Sequence, residues 1–410
     1  MWGLEFLIVD HPSLARLMLI SSRVLDRPTV GYIKRHLSNL GYSKQDHGIF
    51  WHEEKLSRAR NDCMDLLQKH DVSSYLLSKF YPKEFQDIFL VVKAFNSNLA
   101  KIALGSSIES YQFTKLKFGF WQEQLDRCER DMDISDSSNS ILPRNMGEPV
   151  VTLARECLRK GIRVNFENLR QMIASYQHFC TDEGVRGFKD TYSICSFGEG
   201  IFSQMNYALR DALFSPKFPE TSRFSLELMD CSGRERVEIL LNDIYAHIGQ
   251  STAIASFLLG SRYYATSRSQ VLLPLESIAK RNISQEDVLR YLQSEDPDQE
   301  RDEEVREIVF DVATVANDHL LTARTKFNDL KGEIHDLVDK EGSLELKLGW
   351  EQLNHGVPDA MFLPMMNGLP TICFLEKLEK YDFEIRNPNL NIKDWRLAWK
   401  TYRSYSNRVI

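Results

Sequence analysis

The chain has 410 residues, 43% hydrophobic and 27% charged, with 20 Gly and 13 Pro, which excludes collagen-like, low-complexity and wholly disordered chains. With 51 basic against 58 acidic residues the net charge is −7, so a general nucleic-acid surface, which needs basic excess, is not expected. No apolar run approaches the roughly 18 residues of a membrane span.

The N-terminal segment inverts the overall charge. Between His11 and Gln45 stand Arg16, Arg23, Arg27, Lys34, Arg35 and Lys44 against one acid, Asp26, interleaved with Leu, Ile and Ser as in a mitochondrial presequence. Glu5 and Asp10 precede that stretch and Pro28 interrupts it. Residues 1–58 are therefore expected to be a targeting or variable segment, and 60–408 the folded domain.

Beyond residue 60 the periodicity is helical. Residues 86–104 place Ile88, Val91, Val92, Phe95, Leu99 and Ile102 on one stripe. Helices are also expected over 149–160, over 163–180 with Asn165 as cap, over the long apolar 235–260, and over 304–325. Loops are expected at Asp131–Pro149, Ser215–Arg234, the acidic Glu295–Glu304 and Lys331–Pro370, from their Pro, Gly and charge content. No run alternates long enough to build a sheet, so the fold class is all-α.

Seven cysteines lie far apart with no C-x-x-C pair, which fits buried reduced thiols rather than a zinc site or disulfide framework. His178, His247 and His319 stand alone in helical text, and Asp62 and Asp65 read as a solvated helix face. Phosphate-loop, H-E-x-x-H and G-x-S-x-G patterns are absent, and Gly198 and Gly200 lack the preceding strand of a dinucleotide fingerprint.

Two stretches carry a resemblance. Ser74–Ala100 (SYLLSKFYPKEFQDIFLVVKAFNSNLA) and Ile248–Glu276 (IGQSTAIASFLLGSRYYATSRSQVLLPLE) resemble the two signature helices of the squalene/phytoene synthase superfamily, with Trp121 where the family carries a tryptophan-containing helix between them. The resemblance runs over about Val72–Arg408. It implies a trans-isoprenyl diphosphate synthase-like helical domain around a central cavity. In catalytic members, carboxylates on two facing helices hold Mg²⁺ against the diphosphate of a prenyl substrate, because Mg²⁺ takes hard oxygen ligands.

Here those carboxylates are replaced. The first pair aligns with Ala100 and Leu104, and the second set with Ser261, Tyr264 and Ala265. No acid stands between Asp87 and Glu109 or between Asp243 and Glu276, so a small register error restores nothing. Lys101, Arg262 and Arg268 are too few to replace the metal cluster. A pseudoenzyme with no catalytic residue, no bound metal and no cofactor is expected. Lys101, Tyr264 and Arg268 are the candidate contacts for an isoprenoid or lipid in the residual cavity. The small residues Gly249, Ser251, Ala253, Ala255 and Ser256 fit either close helix packing or room for such a chain.

Further stretches resemble a branch of the superfamily that lacks these aspartates and acts in assembly of mitochondrial respiratory complex I (NADH:ubiquinone oxidoreductase). They are Ala94–Ala100, Tyr264–Pro274, Ile283–Arg290, Val305–Arg324, Phe374–Leu390 and the W-R-x-x-W-K-T-Y tail at Trp395–Tyr402. This branch implies a mitochondrial protein on the matrix side of the inner membrane, peripherally attached, with complex I subunits or other assembly factors as partners. The aromatic and basic residues of the tail (Trp395, Arg396, Trp399, Lys400, Tyr402, Arg403) suit contact with a membrane surface or a partner, or packing onto the core. The alternatives are a prenyl-diphosphate transferase of the same fold and an isoprenoid- or lipid-binding protein without turnover.

Overall fold

The computed structural model describes residues 44–105, 111–134, 147–182, 186–294 and 299–410. The presequence-like stretch to residue 43, most of the expected loop at Asp131–Pro149 and the start of the acidic turn at 295–298 lie outside them. No strand occurs among the described residues. Numbering helices of eight or more residues, the chain runs α1 (Lys44–His70), α2 (Gln86–Gly105), α3 (Tyr111–Ile134), α4 (Pro149–Arg159), α5 (Phe166–Thr181) and α6 (Thr191–Gly198). A π-helical turn (Glu199–Ser203) follows, then α7 (Gln204–Leu213), α8 (Pro219–Asp230), α9 (Glu235–Arg268) and α10 (Gln285–Gln293). The last four are α11 (Gln299–Glu341), α12 (Leu344–Gln352), α13 (Leu369–Lys380) and α14 (Arg396–Asn407). Leu56–Ile410 form one compact unit.

Helix starts follow local chemistry. The Asn165 side chain accepts from the Asn168 amide at 3.1 Å and caps α5, as expected, and Ser284 and Asp287 form a reciprocal capping box at α10. Two expected loops are corrected. Within Ser215–Arg234, Pro219 opens α8 at the first helical position, where its missing N–H costs nothing. Within Lys331–Pro370, α11 continues to Glu341 and α12 follows from a Ser343 cap, because Ile334, Leu337 and Val338 prolong the buried stripe of α11.

The core is organised by α9 and α11, whose mutual packing is the most extensive helix–helix contact. Both present buried residues at alternating steps of three and four. On α9 these are Leu241, Ile244, Ile248, Ser251, Leu258, Ser261 and Ala265; on α11, Val305, Val309, Val312, Ala316, Ala323, Phe327, Leu330 and Ile334. That is the pattern of a knobs-into-holes seam. Ser251 Oγ donates to the Ala316 carbonyl at 2.8 Å across it.

The other side of α9 is closed by the π turn and α6. A Cβ on Gly249 would stand 2.5 Å from the Ser203 backbone nitrogen and 2.9 Å from its Cα. One on Gly198 would stand 2.8 Å from the Gly249 carbonyl and 2.7 Å from Ala253 Cβ. Gly249, Ser251 and Ala253 thus serve close packing on two sides of one helix. Trp121 of α3 is buried edge-on to Phe95 of α2, with ring centroids 5.2 Å apart. All seven cysteines are free thiols, five of them buried and Cys180 and Cys231 half-buried, while Asp62 and Asp65 are exposed.

His247 and His319 are not isolated. Their Nδ1 atoms face each other at 2.8 Å across the α9–α11 seam, and Cys195 Sγ lies 3.4 Å from His319 Nε2. One proton fits between the two Nδ1 atoms, so a doubly protonated pair loses the bond and sets two donors against each other. Burial holds both imidazoles below their ordinary range. For His247 the neighbouring His319 and Lys326 add to this against Asp243, and for His319 Asp318 opposes it.

Two outcomes follow for the purified protein. Gly249→Ala forces a methyl against the Ser203 backbone and lowers unfolding free energy by about 1–3 kcal/mol in urea titration, with little loss of helical circular dichroism. The histidines bind protons more weakly folded than unfolded, so the unfolded chain takes up more protons as pH falls through the ordinary histidine range, about 6.5. The urea midpoint therefore drops from pH 7.5 to pH 5.5 (both about), and His319→Gln makes that drop shallower.

Candidate functional site

One cavity of about 340 Å³ opens beside α9, walled by α2, α5 and the α6–π segment. Its lining is dictated by which face each helix has left over. On α2 the residues Asn96, Ser97, Ala100, Lys101 and Ala103 form a stripe at steps of three and four, on a helix whose other side is buried through Val91, Ala94 and Phe95. On α9 one side is taken by α11, and the opposite side, packed on α6 and the π turn at Gly249 and Ala253, presents Ser256, Phe257 and Tyr264 to the cavity further along the helix.

The deep wall is aromatic. Phe179 of α5, Phe197 of α6, Phe202 of the π turn and Phe257 line it, with Phe179–Phe197 centroids 5.2 Å apart, Phe197–Phe257 at 5.1 Å, and Phe188–Phe257 behind at 4.7 Å. These tilted and edge-on contacts are the favourable aromatic geometries. The π turn, which holds an extra residue between α6 and α7, places Phe202 on this wall while keeping Gly198 against Gly249.

The polar groups are few and neutral. Tyr176 donates to Asn96 Oδ1 at 2.9 Å, and burial drives its phenol far above the ordinary range. Burial also pushes the Tyr264 phenol up to about 12, opposed by the Arg268 charge. The rim carries His70, Asp71 and Lys101. Asp71 is the one carboxylate on this lining, and it is committed to capping a short helix through the Ser74 amide at 3.0 Å. Burial and then neighbouring cations, Lys101 and Lys69, lower the His70 pKa, and burial and Lys69 lower that of Lys101.

The sequence-derived positions divide. Ala100, Lys101 and Tyr264 line the cavity. Ser261 and Ala265 do not: both are buried on the seam side, with Ser261 Oγ donating to the Phe257 carbonyl at 2.7 Å and the Ala265 carbonyl accepting from Gln293 at 2.8 Å. At about 100° per residue, positions one step beyond Gly260 and Tyr264 rotate away from the cavity into the α11 contact. Leu104 ends α2 and its side chain lies outside the described residues. Arg268 closes α9 one turn past Tyr264, off the lining but near enough to act on its phenol. Of the five small residues, only Ser256 reaches the cavity.

The lining residues missed in the sequence are His70, Asp71, Asn96, Ser97, Ala103, Tyr176, Phe179, Phe197, Phe202 and Phe257. The three-and-four spacing that marks Ala100 also marks Asn96 and Ser97. The aromatic wall has no such signal, since it is assembled from four separate segments. Among the described residues no three His, Cys, Asp or Glu side chains are grouped to hold a metal. The donor set of the two facing helices (amide, hydroxyl, amine and phenol) does not fit a Mg²⁺–diphosphate group, which needs carboxylate oxygens from both.

Comparison with known proteins places this geometry. The chain is 22% identical over 342 residues to the rat protein "NADH dehydrogenase (ubiquinone) complex I, assembly factor 6", covering 83% of this chain and 80% of that one. The Drosophila melanogaster homolog of that name is 23% identical over 343 residues, covering 83% and 82%, and the human protein 22% identical over 342 residues, covering 83% and 80%. Among solved structures, a dehydrosqualene synthase crystallised with a ligand superposes with a TM-score of 0.53 at 10% identity, covering 87% of this chain and 98% of that one, which shows the fold. Residues 67–338, most of the compact unit from α1 through α11, match the model of the squalene/phytoene synthase family, and the chain belongs to that family.

Proposed function

We propose that this chain is a non-catalytic member of its family that acts in the assembly of mitochondrial respiratory complex I. It works on the matrix side of the inner membrane, attached peripherally, through contacts with complex I subunits or other assembly factors. Residues 1–58 act as the targeting segment and 60–408 as the functional domain. The relatives carrying the assembly-factor name, aligned over 83% of the chain and so beyond the family model itself, support this reading.

The observation that carries the loss of catalysis is the cavity-facing stripe of the two facing helices. Ionising a prenyl diphosphate releases a group with several negative charges. Inside a low-dielectric aromatic cavity that charge needs metal ions or a dense cation cluster. The lining offers Lys101 and His70 at the rim, and the pKa of each is lowered. A second reading is favoured by the aromatic wall: the cavity holds an isoprenoid or lipid chain without turnover, with Lys101 and Tyr264 toward its head.

Two measurements test these statements. Purified protein with farnesyl or geranylgeranyl diphosphate and Mg²⁺ releases no pyrophosphate above the no-enzyme rate; Mg²⁺-dependent release would return the chain to the transferases. In cells lacking the protein, native gels with in-gel NADH oxidation show loss of assembled complex I while other respiratory complexes persist, restored by the wild-type chain. Normal complex I in those cells would sink the assembly reading and leave lipid binding, read by mass spectrometry of the extracted protein, as the function to pursue.

A further inference from the structure

Helix α14 has two faces of different fate. Leu397, Thr401 and Ser404 are buried against the body of the protein. Two residues earlier in each turn, and so about 200° round the helix, the opposite stripe is bare: Trp395 is 80% exposed, Trp399 61% and Tyr402 43%. Ile392, just before the helix, is 60% exposed, and the Trp399 and Tyr402 rings stand 5.9 Å apart. Isolated exposed apolar residues need no explanation; an aromatic row at steps of four and three does.

The charge around this row is mostly basic. From Asn391 to the last residue the chain carries Lys393, Arg396, Lys400, Arg403 and Arg408 against a single acid, Asp394, in a protein of net charge −7. Arg396 is tied to Asp394 at 2.7 Å, and Lys400 pairs with Glu376. Lys393 and Arg403 are exposed and make no ion pair among the described residues. The row itself lies on a single convex helix. Tryptophan and tyrosine, with an apolar body and a polar edge, are the side chains that settle at the boundary between headgroups and acyl chains. A basic rim beside them is drawn to anionic lipid.

We infer that the outer face of α14, through Trp395, Trp399 and Tyr402 with Lys393 and Arg403 beside them, is the surface by which this protein rests on an anionic bilayer. This deepens the peripheral attachment proposed above and rests on that reading. No described helix is long and apolar enough to cross a membrane, and a surface contact of this kind is an attachment that needs no span. The rings lie in the interface and the two free cations meet phosphate headgroups.

The test uses the full chain and vesicles of phosphatidylcholine with about 30 mol% anionic phospholipid, against phosphatidylcholine alone. The wild-type chain co-sediments with the anionic vesicles, less so with neutral ones, and less at about 0.5 M salt. Trp395→Ser with Trp399→Ser lowers vesicle affinity by about tenfold or more without shifting the thermal unfolding midpoint, because both rings are in water already. Lys393→Glu with Arg403→Glu removes the preference for anionic lipid and keeps the fold, which serves if the tryptophan variant is unstable. Vesicle binding equal in wild type and both variants, or absent in all, overturns the proposal. So does a tryptophan variant that binds vesicles normally yet fails to restore complex I, which would give the face to a protein partner. Since sedimentation is read on purified protein, none of these lipid outcomes depends on whether complex I is the complex served.

Discussion

The close approach of α9 to the π turn is the constraint on which the rest of this structure hangs. Gly249 and Gly198 bring two backbones together where no Cβ fits, and the seam with α11 takes the other side of the same helix. Ser256, Phe257 and Tyr264 lie on the same side of α9 as Gly249 and Ala253, about one to four turns on, so the face that packs on the π turn continues into the cavity wall. Packing and site therefore draw on different residues of one element. The seam uses Ser251, Leu258, Ser261 and Ala265; the cavity uses Ser256, Phe257 and Tyr264.

That separation lets the fold survive a change of chemistry. Carboxylates crowded into a cavity repel one another and need metal to be held there, so they contribute little to the stability of the scaffold. With a phenol, an alanine and an amide on the lining (Tyr264, Ala100 and Asn96), the seam and the aromatic wall stand without them. Tyr176 and Asn96 satisfy each other at 2.9 Å, and the rings of Phe179, Phe197 and Phe257 fill the depth of the site with mutually favourable contacts. The result is a cavity with an aromatic interior and a rim that carries His70, Asp71 and Lys101.

Much of this was legible in the sequence because helical periodicity is local. The stripe of α2, the helix of α5 with its Asn165 cap and the long apolar run of α9 follow from local sequence, and the all-α fold from the lack of alternation. Proline content misled at Ser215–Arg234 and Lys331–Pro370, since Pro219 starts a helix as readily as proline ends one. Rotation about a helix axis was the finer obstacle: a single residue separates Tyr264, on the cavity, from Ala265, in the seam. The pairing of His247 with His319 joins positions 72 apart in sequence, and the aromatic wall joins four segments, so neither leaves a periodic trace.

The carboxylates that remain on the two facing helices argue most directly for what the scaffold has kept. On α2 the one acid is Asp87, in the first turn, buried, and held by Arg60 at 2.6 Å and Lys160 at 3.2 Å. Burial alone would raise its pKa, but the Arg60 guanidinium, bonded through both Nε and a terminal nitrogen, and the Lys160 ammonium lower it instead. On α9 the acids are Glu235 and Glu238 in the first turn, where the helix dipole favours them, and Asp243, paired with Lys326 at 2.6 Å. Asp87, Glu235 and Glu238 thus stand in first turns and Asp243 in the third turn of α9 with a structural partner, and no acid stands between Asp87 and Glu109 or between Asp243 and Glu276. The acids of these two helices serve ion pairs between helices or the helix dipole, and the cavity lining takes amide, hydroxyl, amine and phenol groups from the same two helices.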